Sequence, residues 1–351
     1  MKTLSIKAIA LLHDLISIQS FSSEEDKTAA RIGQWFTDHD IPFHQQDFNI
    51  YAFNKVFDKN KPTLLLNSHH DTVKPNSAYT KDPFHPHLEA GKLYGLGSND
   101  AGGALVSLIA LFTHYYDHPN PKYNLILAAT AEEESSGPNG LNSLLPNLPP
   151  IDVAIVGEPT LMQLAIAEKG LVVFDGKVEG TASHAAHPNE DNPILKLPKV
   201  LEWLNNFTFE KESQVLGPVK LTITQINAGK QHNVVPASVD IVIDVRVNDC
   251  YSNSEIAALL QKDAPLKISP RSLNLNSSSI PASHPLVQAG ISLGRSTYGS
   301  PTLSDQAKLS CPSLKLGPGD STRSHTADEF IYLDEIEEGI TLYIDLLNKI
   351  L

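Results

Sequence analysis

Cysteine is nearly missing from this chain of 351 residues: only Cys250 and Cys311 could pair. No disulfide framework can hold such a fold together, and a reducing compartment is the expectation. Basic residues are also scarce, 27 Lys plus Arg against 40 Asp plus Glu, which leaves a formal charge of −13. Phosphate backbones call for clustered cations, and no Lys/Arg run occurs, so no nucleic-acid partner is expected. Long apolar runs are absent too. The longest, Ala104 to Phe112, is nine residues interrupted by Ser107, whereas a membrane span needs about 20. At the start, TLSIKAIALLHDLISIQS carries Lys7, His13 and Asp14 inside its apolar pattern. It is expected to be an amphipathic helix of a cytoplasmic protein, not a signal peptide or membrane anchor. Histidine, by contrast, is abundant at fourteen, which directs attention to metal.

At roughly 150 residues per domain the length suggests two domains. Helical spacing predicts helices over Leu4–Ile18 and Glu24–His39, the second opened by a capping box of Ser22 and Glu25. Three apolar runs follow, Pro62–His70, Tyr123–Glu133 and Ile151–Pro159, separated by helix-like segments at 100–117 and 138–146. Continuous apolar strands alternating with helices predict an α/β fold, a mostly parallel sheet flanked by helices. After Gly170 the strands instead alternate apolar with polar: LVVFDGKVEG, VKLTITQIN, ASVDIVIDVRV and, after a helix, LKISPRSLNLN. These predict an inserted α+β domain over 170–280, with helices Asn192–Asn206 and Ser252–Lys262. Residues 1–169 and 281–351 then form the first domain, ending in PSLKLG and a helix over Leu333–Leu351.

Acids and histidines gather at the C-terminal ends of the apolar runs, where open α/β sheets place their ligands. SHHDTV sets His69 and Asp71 two apart, on one face of an extended segment, so Asp71 could orient a metal-bound His69; a chance surface pair is the other reading. YGLGSNDAGGALVSL ends a glycine-rich loop at Asp100, which could be a helix N-cap or could bridge two cations. Glu132, Glu133 and Glu134 follow the apolar LILAAT, so at least one should enter the crevice, where it needs a cation partner or a raised pKa. Glu158 in VGEPT and His325 in GPGDSTRSHTADEF complete the set. Two imidazoles and three carboxylates (His69, Asp100, Glu134, Glu158, His325) suit zinc, with Asp71 and Glu133 left over. If Asp100 bridges, each of two metals has three protein ligands and an open position.

SHHDTV, GLGSNDAGG, TAEEES, VGEPT and GPGDSTRSH, in this order, resemble the acetylornithine deacetylase and succinyl-diaminopimelate desuccinylase family of two-metal hydrolases. The resemblance spans nearly the whole chain. It implies two divalent ions, zinc or cobalt, one held by His69, Asp100 and Glu158 and the other by Asp100, Glu134 and His325. It further implies that Asp71 orients His69, that Glu133 is the general base, and that the Asp100–Ala101 peptide is cis. His184, in GTASHAAHPNEDNP, matches a histidine that reaches a neighbouring subunit's site, which implies a homodimer and a dimerisation role for the insertion. Asn233 and Arg246 match positions that contact a substrate carboxylate, although Arg246 could equally form a surface ion pair. The chain departs from the family at Ala101-Gly102-Gly103, where Met-Lys-Gly is common, and at His70, which could compete as a ligand. GEPT, SNDAGG and the short insertion look most like the acetylornithine branch. The implied reaction is removal of an acetyl or succinyl group from an acylated ornithine or citrulline in arginine biosynthesis. Succinyl-diaminopimelate desuccinylase, or a dipeptidase or aminoacylase, is the alternative.

Overall fold

The computed structural model describes residues 2–119 and 121–351. By the packing of its backbone the chain forms two compact units. The first comprises Met1–Ile166, Ser279–Tyr298 and Ser304–Leu351, and the second Ala167–Ser278 with Gly299–Leu303.

At the centre of the first unit, four strands run parallel in the order Asn124–Thr130, Thr63–His69, Val153–Val156, Ser313–Lys315. Every residue of all four is buried, the polar Asn67, Ser68, Asn124, Ser313 and Lys315 among them, as befits strands covered on both faces. Leu64 and Leu66 point to the side packed by Leu11, Leu12, Phe36, Phe112 and Tyr343. Leu65 points to the other, against Ile126, Leu141 and Leu144. The helix Gly103–Tyr115 is buried almost all round, and Lys2–Ile16, Asp26–Asp38 and Leu333–Asn348 contribute to the same core. Antiparallel strands Asn49–Phe53 and Leu164–Glu168 flank the parallel set.

The second unit is an antiparallel sheet ordered Lys220–Ala228, Ser238–Val247, Gly170–Glu179, Lys267–Pro270. Alternate residues of its two central strands are buried in a core shared with Val200, Leu204, Ile256 and Leu260 of two helices. Among the described residues no helix is long and apolar enough to cross a membrane.

Three local expectations fail for physical reasons. Residues 138–146 form only the short helix Leu141–Leu144, because Pro138 and Gly140 delay its start and Pro146 turns its end into a 3₁₀ turn. LKISPRSLNLN pairs only over Lys267–Pro270, where proline removes a ladder donor. Ser22 and Glu25 do not box the second helix, which starts at Asp26 with no side-chain cap; both side chains are used elsewhere.

Candidate metal centre

Because the four central strands are parallel, their C-terminal ends share one edge of the sheet. His69 is the last residue of its strand, Glu132–Glu134 follow Thr130, Glu158 follows Val156 by two, and residues 317–325 follow Lys315. Asp100 comes from the turn that precedes the helix Gly103–Tyr115, and its peptide to Ala101 is cis, as the resemblance implies. It does not cap that helix, whose N-cap is Gly102.

The Asp100 carboxylate stands between two imidazoles. Oδ1 is 3.4 Å from His69 Nε2, and Oδ2 is 3.4 Å from His325 Nε2. His325 Nε2 also lies 3.0 Å from Glu134 Oε2, and His69 Nε2 lies 3.8 Å from Glu158 Oε1. One ligand atom from each of His69, Asp100 and Glu134 falls within 4.8 Å of the other two. His325 adopts a left-handed backbone, φ 59°, and Glu132 does the same at φ 53°. Non-glycine residues in that region carry strain and cluster at functional sites.

Asp71 is the hub behind this cluster. Its Oδ1 accepts the Glu133 N–H at 3.1 Å, and its Oδ2 accepts the Glu134 N–H at 3.1 Å and the Ser22 hydroxyl at 2.7 Å. His69 Nδ1 lies 3.3 Å from Asp71 Oδ1 and 3.0 Å from the Asp71 carbonyl oxygen. Both neighbours are acceptors only, so Nδ1 carries a proton and Nε2 is the nitrogen turned toward Asp100 and Glu158. Burial alone would raise the Asp71 pKa, but the His69 contact and the other donors outweigh it and bring it down to about 2.

Around this hub the charges are unbalanced. Burial, with Asp100 adding repulsion, pushes Glu158 up to about 8. Glu133 is raised well above the carboxylate range by burial; His69 opposes this, and the negative charges of Glu158, Asp305 and Glu134 add to it. Hydrogen bonding to Glu134 lifts His325 to about 9. His69 rises too: burial works against its charged form, but Asp100 and Asp71 more than compensate. Such a pocket draws protons onto both imidazoles and onto carboxylates for want of another positive charge. His69 Nε2 is buried and makes no hydrogen bond. A divalent cation fits this donor set, because metal binding displaces just such protons.

His70 turns away from the cluster. Its Nε2 lies 3.0 Å from the Phe48 carbonyl and its Nδ1 2.9 Å from the Thr28 hydroxyl, so it is not a competing ligand in this arrangement. His184, Asn233 and Arg246 belong to the second unit. His184 is exposed on a short strand, its Nδ1 accepting the Ala186 N–H at 3.1 Å and its ring centroid 5.7 Å from that of His187. The Asn233 carbonyl accepts the Ala185 N–H at 3.0 Å. Arg246 grips Asp244 on its own strand through two bonds of 2.9 and 3.1 Å, so its fork is already engaged.

Several contributors escaped the sequence reading. Ser22 and Glu25 looked like a helix cap; instead Ser22 serves Asp71, and Glu25 accepts the N–H groups of Ser23 and Glu132 at 2.9 and 3.0 Å. Glu132, which the sequence did set beside the site, is buried and held by the Ser23 hydroxyl, the Asn139 N–H and the Asn139 amide, each at 2.9 Å. Asn99 and Glu329, both fully buried, were passed over as well. The one signal for Glu329 was an acid set directly before the apolar run FIYL.

The sequence profile of peptidase family M20/M25/M40 matches residues 65–349. A succinyl-diaminopimelate desuccinylase from Rickettsia akari is 27% identical over 278 residues, covering 72% of this chain and 72% of its own length. Among solved structures, an aminopeptidase from Bacillus cereus superposes with a TM-score of 0.78 at 15% identity, covering 99% of this chain and 98% of its own. A dinuclear metal-binding M20 peptidase from Bacillus subtilis gives a TM-score of 0.75 at 14% identity, covering 99% of this chain and 98% of its own. At such identities the two structures speak for the fold alone. The family profile speaks for more: this chain is a member of peptidase family M20/M25/M40.

Proposed function

We propose that this chain is a metal-dependent hydrolase that cleaves the amide of an N-acylated amino acid. The observation that carries this reading is the Asp100 carboxylate, each of whose oxygens faces a different imidazole at 3.4 Å, with Glu158 on one side and Glu134 on the other. His69, Asp100 and Glu158 would hold one divalent ion, and Asp100, Glu134 and His325 the second. Bound there, the ions would acidify a water and polarise the amide carbonyl. Asp71 fixes the His69 tautomer, so that Nε2 is free to ligate. Glu133 receives the proton of the attacking water and delivers it to the leaving amine, from a turn that Asp71 fixes through the Glu133 N–H. The second unit would be the dimerisation domain that offers His184 to a neighbouring copy's site, with Asn233 and Arg246 as carboxylate contacts. For Arg246 this requires release from Asp244.

For the substrate, the curated relatives favour N-succinyl-diaminopimelate over the acylated ornithine or citrulline expected from the sequence. They thereby also favour lysine over arginine biosynthesis. The ornithine and citrulline reading rests on the GEPT and SNDAGG segments. Purified protein with zinc or cobalt, offered succinyl-diaminopimelate, acetylornithine, acetylcitrulline, their succinyl analogues and dipeptides, tests both. Turnover of the succinyl-diaminopimelate amide alone supports the first reading, and turnover of the ornithine or citrulline amides supports the second. Activity on dipeptides only would overturn both.

A further inference from the structure

Glu329 sits four residues beyond His325, is 1% exposed, and ligates nothing in the arrangement above. Its Oε1 accepts the N–H groups of Asn99 at 2.8 Å and Asp100 at 2.9 Å, and its Oε2 accepts that of Gly97 at 3.2 Å. Its backbone carbonyl accepts the Gly95 N–H at 3.0 Å. Asn99 reaches back in the other direction: its Oδ1 accepts the Asp320 N–H, and its amide donates to the Asp320 carbonyl, both at 3.0 Å. That clasp needs a glycine beside it. A Cβ on Gly319, whose φ is +91°, would come within 2.5 Å of Asn99 Oδ1. Segments 95–100 and 319–329 are therefore stitched together in both directions, and each delivers one member of the cluster, Asp100 or His325.

Three backbone N–H groups of one short segment thus converge on a single buried side chain, and the last of them belongs to Asp100 itself. We infer that Glu329 is a positioning residue for the metal centre. By pinning the Asp100 amide it fixes the direction in which the Asp100 carboxylate faces His69 and His325. This rests on the metal reading above.

The test is a titration of Co(II) into metal-free wild type, Glu329→Gln and Glu329→Ala, followed by calorimetry and by the visible absorption of the bound ion. Glutamine keeps the shape and one acceptor oxygen but sets an NH₂ against an N–H donor. Its affinity should fall about 10-fold, and that of alanine about 100-fold with an altered cobalt spectrum, the range over which groups behind metal ligands act. KM should stay within about twofold while kcat falls with occupancy. If both variants bind cobalt with wild-type affinity and spectrum, and only unfold more easily, Glu329 merely ties a loop and the inference is wrong. Should the alanine variant not fold, the glutamine variant decides. A wild-type chain that takes up no Co(II) would sink the metal reading and this inference with it, whereas normal wild-type uptake with unaffected variants sinks the inference alone.

Discussion

Replacing Asp71 by asparagine probes the hub of the site with almost no change of shape. The carboxylate meets donors along both edges, the Glu133 N–H and the His69 ring on one, the Glu134 N–H and the Ser22 hydroxyl on the other. Asparagine offers one oxygen and one NH₂, so whichever way it turns, one edge sets donor against donor. A buried donor left unsatisfied costs about 1–3 kcal/mol. The hydroxyl of Ser22 can rotate to relieve its part, but a backbone N–H cannot. The metal-free Asp71→Asn protein should therefore lose about 2 kcal/mol in urea unfolding, against well under 1 kcal/mol for Ser22→Ala. The same change removes the charge behind His69, which should weaken Co(II) binding by about 10- to 100-fold and lower kcat in proportion to occupancy. Wild-type stability together with wild-type cobalt affinity in Asp71→Asn would refute the assignment of Asp71 as the residue that holds both His69 and the Glu133–Glu134 turn.

Three further outcomes are expected. Glu133→Gln should bind metal as wild type does yet lose about 10³-fold in kcat, the upper-middle range for a general acid–base group; steady-state kinetics on metal-loaded protein with retained turnover would remove Glu133 from the mechanism. Exhaustive chelation should abolish amide hydrolysis, and zinc or cobalt should restore it, so full activity in protein shown metal-free by elemental assay counts against the metal reading. Burial holds His70 near 4 against an ordinary 6.5, so the unfolded chain takes up a proton that the folded one refuses; stability is whole above pH 6.5 and falls by about 3 kcal/mol as the pH drops to 4. His70→Gln should shrink that acid-side loss in urea titrations of metal-free protein, and an unchanged pH dependence would contradict the buried, neutral state.

What could be read from the sequence was what the backbone direction fixes locally. Strands built around apolar stretches, such as TLLLNSH and NLILAAT, are buried on both faces, and parallel strands bring their last residues to one edge, so His69, Glu134, Glu158 and His325 could be gathered without coordinates. The contacts that hold them were illegible, because they join residues far apart in the chain: Ser22 to Asp71 over 49 positions, Asn99 to Asp320 over 221, Glu329 to Asn99 over 230. Ser22 and Glu25 even matched a local pattern that the tertiary fold overrides. Arg246 shows the same limit from another side, since the family resemblance makes it a substrate contact while its own strand supplies Asp244 as a partner.

The five proposed metal ligands enter from five separated stretches, the first at residue 69 and the last at residue 325, with the entire second unit threaded between the fourth and the fifth. No fragment that stops short of residue 325 can present the set, and neither can a chain whose sheet has closed in the wrong order. A cation bound to the assembled set stabilises only the finished molecule, by an amount that grows with the logarithm of its concentration. Metal supply would then act as a selective pull on correctly closed chains, and metal content would read out how much of a preparation has reached the native state.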